Sequence, residues 1–322
     1  MIGATPDRAA GSIRRTTTID MTWPAGPRGD LHMDLRGRDL LSGEDPTDTT
    51  ILAAESARFV LSFERLIESA DAGPDRPWAP ALGGHSSRRG FRRQLAAMAP
   101  ASTSPLLLHL LDDLPGASIV SDFAVRQWGL YADVDRFGQP LAPQQVTGTC
   151  TGFAPGSTAL NADGTSTGSH LTTRVSPLTT DDPVAWHDFP DTSAMAMRRA
   201  RRIDVSVSGR SSGATIEIDA MFQDSCTLRD GGRSAVHEYD IRATADLDSG
   251  LLTSVTAAPG NLPYGECPFA ANNIDRLVGT PVVDLRRGVA TQLKGIAGCT
   301  HLNDALRALA AVPGLLGLKP AT

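Results

Sequence analysis

Between Ile203 and Asp246 apolar and polar residues alternate with a period of two, and this pattern restricts the fold more than any other feature of the chain. Ile203, Val205 and Val207 alternate with Asp204, Ser206 and Ser208, and after a turn at Gly209 to Gly213 the residues Ile216, Ile218, Ala220 and Phe222 take up the same rhythm. Successive side chains of a strand point to opposite faces, so the segment reads as a half-buried antiparallel hairpin. A second hairpin follows, with His237, Tyr239, Ile241, Ala243 and Ala245 on one face, Glu238, Asp240, Arg242, Thr244 and Asp246 on the other, and a turn at Asp248-Ser249-Gly250.

Two helices close the pattern. The first starts at Pro268, a residue favoured at the first helical position, and ends before Gly279. The second begins near Thr300, a good N-cap, and offers Leu302, Ala305, Leu306 and Leu309 to a core. Two helices on an antiparallel sheet make an α+β domain.

The N-terminal part is read differently. Thr16 to Met21 and Leu31 to Leu35 form a hairpin that joins the main sheet, while Ile51, Ala54, Phe59, Phe63, Leu66 and Ile67 recur at helical spacing. Phe91 to Met98 and Pro105 to Leu111 read as further helices. The expected organisation is therefore an N-terminal hairpin (1–48), a helical insert or cap (49–131), an irregular connector rich in Gly, Pro, Ser and Thr (132–200) and an α+β domain (201–322). Long connectors are often functional, which draws attention to Cys150 and His170. The first hairpin and the one after Arg201 each open with an arginine pair and soon reach an Ile-Asp step (Ile19-Asp20, Ile203-Asp204). Two matches this short carry little information, and coincidence is the simpler reading.

Charge and composition exclude several classes. A chain of 322 residues can bury a core without disulfides or metal, and a net charge of -6 with scattered arginine pairs argues against nucleic acid as partner. The pairs Arg14-Arg15, Arg88-Arg89, Arg92-Arg93 and the run Arg198 to Arg202 read as solvated or ion-paired surface. Only Lys294 and Lys319 could support Schiff-base chemistry, and Lys319 lies in a tail expected to be disordered. No apolar run approaches the roughly 20 residues that span a bilayer, and the start of the chain lacks a signal-peptide core, so a cytoplasmic location without membrane association is expected. In that compartment Cys150, Cys226, Cys267 and Cys299 are free thiols, ligands or nucleophiles. No dinucleotide or phosphate-binding glycine motif occurs, and no Gly-x-Ser-x-Gly elbow. The expected partner is a small-molecule substrate, and a homo-oligomer is compatible with the sequence.

The chemistry concentrates at the two helix starts. Cys267 and Cys299 each stand where unpaired amide N-H groups and the helix dipole favour a thiolate, which can lower a thiol from about 8.5 to ~3.5 in favourable cases. His237 faces the same helices. His237, Cys267 and Cys299 can therefore form a three-ligand metal set, for Zn2+ or alternatively Fe2+, with an open position of the catalytic kind; the pattern equally allows two small core cysteines and a hydrogen-bonded core histidine. His301 is a fourth ligand, a group beside the site or a base, and Glu266, next to Cys267, is the favoured acid or base. Asp304 reads as a carboxylate complementing the helix dipole. Without metal, Cys299 would be a nucleophile served by His237 or His301.

The run Gly298-Cys299-Thr300-His301-Leu302, with Leu262-Pro263-Tyr264-Gly265-Glu266-Cys267 and Leu277-Val278-Gly279, resembles a bacterial domain-of-unknown-function family whose signature ends in Gly-Cys-Thr-His-Leu. The likeness covers about the last 120 residues well, and the first hairpin loosely. A more distant similarity is to iron-sulfur cluster assembly scaffolds, in which three cysteines hold zinc or a nascent cluster. It implies that His237, Cys267 and Cys299 stand at the three ligand positions. The first cysteine is a histidine here, and Gly298 replaces the histidine before the last. The resulting expectation is a metal-dependent enzyme performing hydrolysis, hydration or lyase chemistry on a small carbonyl compound, with a metal-free cysteine enzyme and an iron-sulfur or sulfur carrier as alternatives.

Overall fold

The computed structural model describes residues 4–45, 47–130, 144–168, 170–179, 181–209 and 213–317. Lys319, positions 210–212 of the Gly209–Gly213 turn and the start of the connector lie outside the described residues. One antiparallel sheet runs through the molecule. Its strands are β1 (Ile13–Thr22), β2 (Leu31–Ser42), β3 (Thr49–Leu61), β4 (Ile67–Asp71), β5 (Thr173–Val175), β6 (Ala196–Ser208), β7 (Thr215–Thr227), β8 (Arg233–Asp246) and β9 (Leu252–Pro259). The order is β4-β3-β2-β1-β6-β7-β8-β5, with β9 pairing β8 along the rest of the edge that β5 begins.

Helices follow each set of strands: α1 (Phe91–Met98), α2 (Pro105–Val120) and α3 (Asp122–Gln127) after β4, then α4 (Leu285–Gln292), α5 (Thr300–Ala308) and α6 (Val312–Leu315) after β9. This is the α+β architecture expected, with C-terminal helices packed on an antiparallel sheet. A 3-10 run, Cys267–Leu277, with Pro268 as its second residue, stands in place of the expected α-helix. No helix among the described residues is long and apolar enough to cross a membrane.

The stretch from Ile51 to Ile67 is strand and turn, and no helix. Its apolar residues fit both periods, and the second half decides: Ala57, Phe59 and Leu61 are buried, Ser56 and Arg58 are exposed, and Val60 is half-buried. That is the period of a strand packed on one side. The helical part of the supposed insert begins only at α1, and the strands before it extend the sheet.

Two apolar cores sit against this sheet. One joins Ile19, Met21, Met33, Leu35 and Phe59 to Leu107, Leu111 and Leu114 of α2, and the other joins Ile203, Ile218, Phe222, Tyr239 and Ile241 to Ile274, Leu302, Leu306 and Leu309. The opposite face carries a small cluster of Trp186, Ala185, Ala200 and Met221, where His187 shares hydrogen bonds with Thr16 (2.9 Å) and Thr18 (3.0 Å).

The arginines of the central strands are ion-paired as expected but buried, contrary to their reading as surface. Arg14, Arg15, Arg198, Arg199, Arg201 and Arg202 are all buried. Arg14 meets Asp204 (2.6 Å) and Arg198 meets Asp20 (2.6 Å) across the β1–β6 ladder, Arg15 meets Asp39 (2.6 Å) and Arg199 meets Asp224 (2.8 Å) across the neighbouring ladders. Arg201 reaches Asp113 on α2, and Arg202 reaches Asp204 and Asp219. The planar guanidinium can satisfy a carboxylate through two parallel bonds, which offsets the desolvation of both charges.

Candidate functional site

The site is built by strand register. Arg199 on β6 lies opposite Asp224 on β7, which lies opposite His237 on β8, so three neighbouring strands set a guanidinium, a carboxylate and an imidazole in one row. Arg199 donates through Nε to Asp224 Oδ1 (2.8 Å) and through Nη2 to Oδ2 (2.9 Å). The β7–β8 ladder shifts register between Asp224 and Ser225, and such a bulge re-aims the side chains beside it.

His301 comes from the first turn of α5, whose N-cap is Cys299, held extended at φ -121° and ψ 132°. Its ring stacks on that of His237 with centroids 3.4 Å apart and planes 19° from parallel. His237 Nδ1 lies 3.3 Å and His301 Nε2 3.9 Å from Asp224 Oδ2. Neither nitrogen makes an aligned hydrogen bond, although both are buried. One ligand atom from each of Asp224, His237 and His301 falls within 4.8 Å of the other two.

Burial sets the charge states. It pushes the Asp224 carboxyl up, but the Arg199 charge and its hydrogen bonds prevail and hold it well below the usual carboxylate range. Burial lowers His237 against the pull of Asp224, and burial together with the neighbouring His237 drives His301 well below an ordinary histidine. Both imidazoles are therefore neutral near pH 7, the form that stacks readily and binds metals.

A tight contact holds the row from behind. Arg199 Nη1 donates to Asp304 Oδ2 (3.3 Å), and Asp304 Oδ1 accepts from Arg92 Nη2 on α1 (2.9 Å). Gly116 of α2 makes room, since a Cβ there would collide with Arg199 Nη1 and Asp304 Oδ2. Asp304 is thus a buried ion-pair partner, and its role goes beyond complementing the helix dipole.

The cysteines form a different group. The described residues do not bring His237, Cys267 and Cys299 together as one ligand set; Asp224 and His301 surround His237 instead. Cys267 and Cys299 are buried free thiols, joined by half-buried Cys150 from the connector. Thr151 anchors that connector by donating N-H (2.8 Å) and Oγ1 (3.0 Å) to Gly298 O. Gly152 packs so closely that a Cβ would lie 2.7 Å from Cys267 Sγ and 3.8 Å from Cys150 Sγ. The expected thiolates do not form: burial pushes Cys267 up to about 12 and raises Cys299 and Cys150 as well. Desolvation of an anion outweighs a short helix terminus.

Glu266 faces the connector, accepting from the N-H and Oγ1 of Thr158 at 2.9 Å each. Its backbone hydrogen bond from Thr158 keeps it below the usual range, hence ionised. His170 packs edge-on against Tyr264 (5.4 Å) and near Phe123 (5.7 Å), and burial lowers it to about 4. Sequence reasoning missed Arg199 and Asp224. Their signal was present: each is a charged residue in phase with an apolar face, Arg199 with Ile203 and Val205, Asp224 with Ala220 and Phe222.

Residues 197–313 match the family described as "Protein of unknown function (DUF2889)". No curated protein matches the chain. A crystal structure of lipopolysaccharide binding protein is similar at 10% identity over 95% of this chain and 90% of that one, with a TM-score of 0.17, too slight to carry an argument.

Proposed function

We propose that the 197–313 unit is a metal-dependent enzyme whose ion, zinc or ferrous iron, is held by Asp224, His237 and His301. The observation that carries this reading is the meeting of two neutral imidazoles and a carboxylate within 4.8 Å, with His237 Nδ1 and His301 Nε2 buried and unsatisfied. Two histidines and one carboxylate suit either ion. Arg199 occupies both oxygens of Asp224 yet leaves further lone pairs for a cation. A bound ion would polarise a carbonyl or bring the pKa of water to about 7, chemistry suited to hydrolysis, hydration or elimination on a small carbonyl compound. His301 is the most exposed of the three side chains, at 14%.

The test is the metal content of protein purified without added metal, beside His237→Ala, His301→Ala and Cys299→Ala. Near one colourless ion per chain, lost in both histidine variants and kept in Cys299→Ala, is the expected result. Loss in Cys299→Ala alone, or no metal at all, would overturn it. A second reading rests on the approach of Cys267 and Cys150 to Gly152, with Cys299 near enough to raise the Cys267 thiol, which suits a sulfur or iron-sulfur carrier, and a brown chromophore would move the assignment there. The raised thiols give no support to a metal-free cysteine nucleophile.

A further inference from the structure

We infer that this chain is two copies of one fold in tandem, and that the N-terminal copy carries a dismantled counterpart of the Asp224–His237–His301 set at Asp39, Ala53 and His109. Each half runs through four antiparallel strands and then helices, β1 to β4 with α1 to α3 and β6 to β9 with α4 to α6. The ladders repeat in register. Arg15 lies opposite Asp39 and Asp39 opposite Ala53, as Arg199 lies opposite Asp224 and Asp224 opposite His237.

The irregularities repeat as well. The β2–β3 ladder shifts between Asp39 and Leu40, the β7–β8 ladder between Asp224 and Ser225. The next ladders shift between Val60 and Leu61 and between Thr244 and Ala245, and isolated bridges follow at Leu66 with Ser86 and at Leu251 with Pro281. A bulge is one extra residue at one point of a ladder, so two coincident bulges and a bridge are a demanding match.

Sequence follows the same alignment. Arg14-Arg15-Thr16-Thr17-Thr18-Ile19-Asp20 matches Arg198-Arg199-Ala200-Arg201-Arg202-Ile203-Asp204 in β1 and β6. In the helices Phe91-Arg92-Arg93-Gln94-Leu95-Ala96 matches Leu285-Arg286-Arg287-Gly288-Val289-Ala290, and His109-Leu110-Leu111-Asp112-Asp113-Leu114 matches His301-Leu302-Asn303-Asp304-Ala305-Leu306. The short Arg-Arg and Ile-Asp likeness is therefore no coincidence. Ion pairs exchange between the halves as a two-fold axis demands: Arg14 with Asp204 against Arg198 with Asp20, and Arg92 with Asp304 against Arg286 with Asp112.

Chemistry has been kept in one copy. Arg15 holds Asp39 at 2.6 and 2.7 Å, and His109 sits over them with a buried, unsatisfied Nε2, as His301 does. Where His237 would be, however, stands Ala53, and Leu107 occupies the position of Cys299. With no second ring to stack on, His109 turns Nδ1 to Arg15 Nη1 at 3.4 Å.

A crystal structure of the full chain carrying Ala53→His, grown with zinc, tests this. The introduced ring is expected to lie on His109 beside Asp39, and a ring turned to solvent with His109 unmoved overturns the inference. Zinc belongs to the separate metal proposal, on which the ring position does not depend: a rise from one ion to two per chain supports it, and none in either half overturns it alone. Should Ala53→His fail to fold, His237→Ala makes the reciprocal case. There His301 Nδ1 is expected to turn to Arg199 as His109 turns to Arg15, and a His301 ring without contact to Arg199 overturns the inference.

Discussion

Arg199 illustrates how a single residue can be indispensable without contributing net stability. It is 1% exposed, and Asp224 opposite it is 0% exposed. Burial lowers an arginine, yet the Asp224 charge overrides this and holds Arg199 firmly in its protonated form. Removing one member of such a pair strands a charge and costs about 3–5 kcal/mol, whereas replacing both with apolar groups is often neutral. Arg199→Met should therefore lower unfolding free energy by about 3 kcal/mol or more, and Arg199→Met combined with Asp224→Leu should recover most of that in urea denaturation. A double variant no better than the single one would contradict this account of the pair.

At the scale of elements, β1 and β6 are the seam of the sheet, and their ion pairs are related by the local two-fold. Arg14→Ala and Arg198→Ala each leave one aspartate, Asp204 or Asp20, without its cross-strand partner. Arg198→Ala takes from Asp20 its bonded arginine and should lose about 3 kcal/mol in urea unfolding, whereas Asp204 keeps Arg202 after Arg14→Ala and should lose less. Equal losses would show that Arg202 does not stand in for Arg14. These strands also mark where sequence reading succeeds and fails. The β7 and β8 faces were legible because Ile216 to Phe222 and His237 to Ala245 alternate without interruption, and α1 was legible to the residue. β3 was misread because Ile51 and Leu52 are exposed apolar residues that break its period and mimic a helix. The partner of His237 was missed for another reason. Asp224 and Arg199 keep phase with apolar faces, but charged residues read as surface unless their partners are known, and those partners lie across strands. Cys267 and Cys299 were expected at helix starts and stand at the start of a 3-10 run and of α5, but that His237 meets Asp224 and His301 is a tertiary fact.

For the whole molecule, the buried histidines set the acid response. His187 is lowered by burial to about 3, with the neighbouring Arg38 adding to the effect, and His109 and His301 lie well below the ordinary value. A histidine depressed in the folded state takes up its proton first in the unfolded chain, so its contribution is complete above about pH 6.5 and is lost as pH falls toward the folded value. Asp224 acts lower, its contribution being complete above about pH 4 and lost only in stronger acid. Urea midpoints of the metal-free protein should fall steadily from pH 7 to pH 5, each fully buried histidine removing up to about 2 kcal/mol at the lower end. Equal midpoints at the two values would contradict neutral burial. The antiparallel pairing of β1 with β6 has a consequence for ancestry and assembly. A chain with a single copy would leave that strand as an open edge, and two such chains would satisfy it by docking edge to edge as an isologous dimer. Here the same joint is made within one polypeptide, so its partner is always present, subunits cannot exchange, and mutation can reshape one side without altering the other.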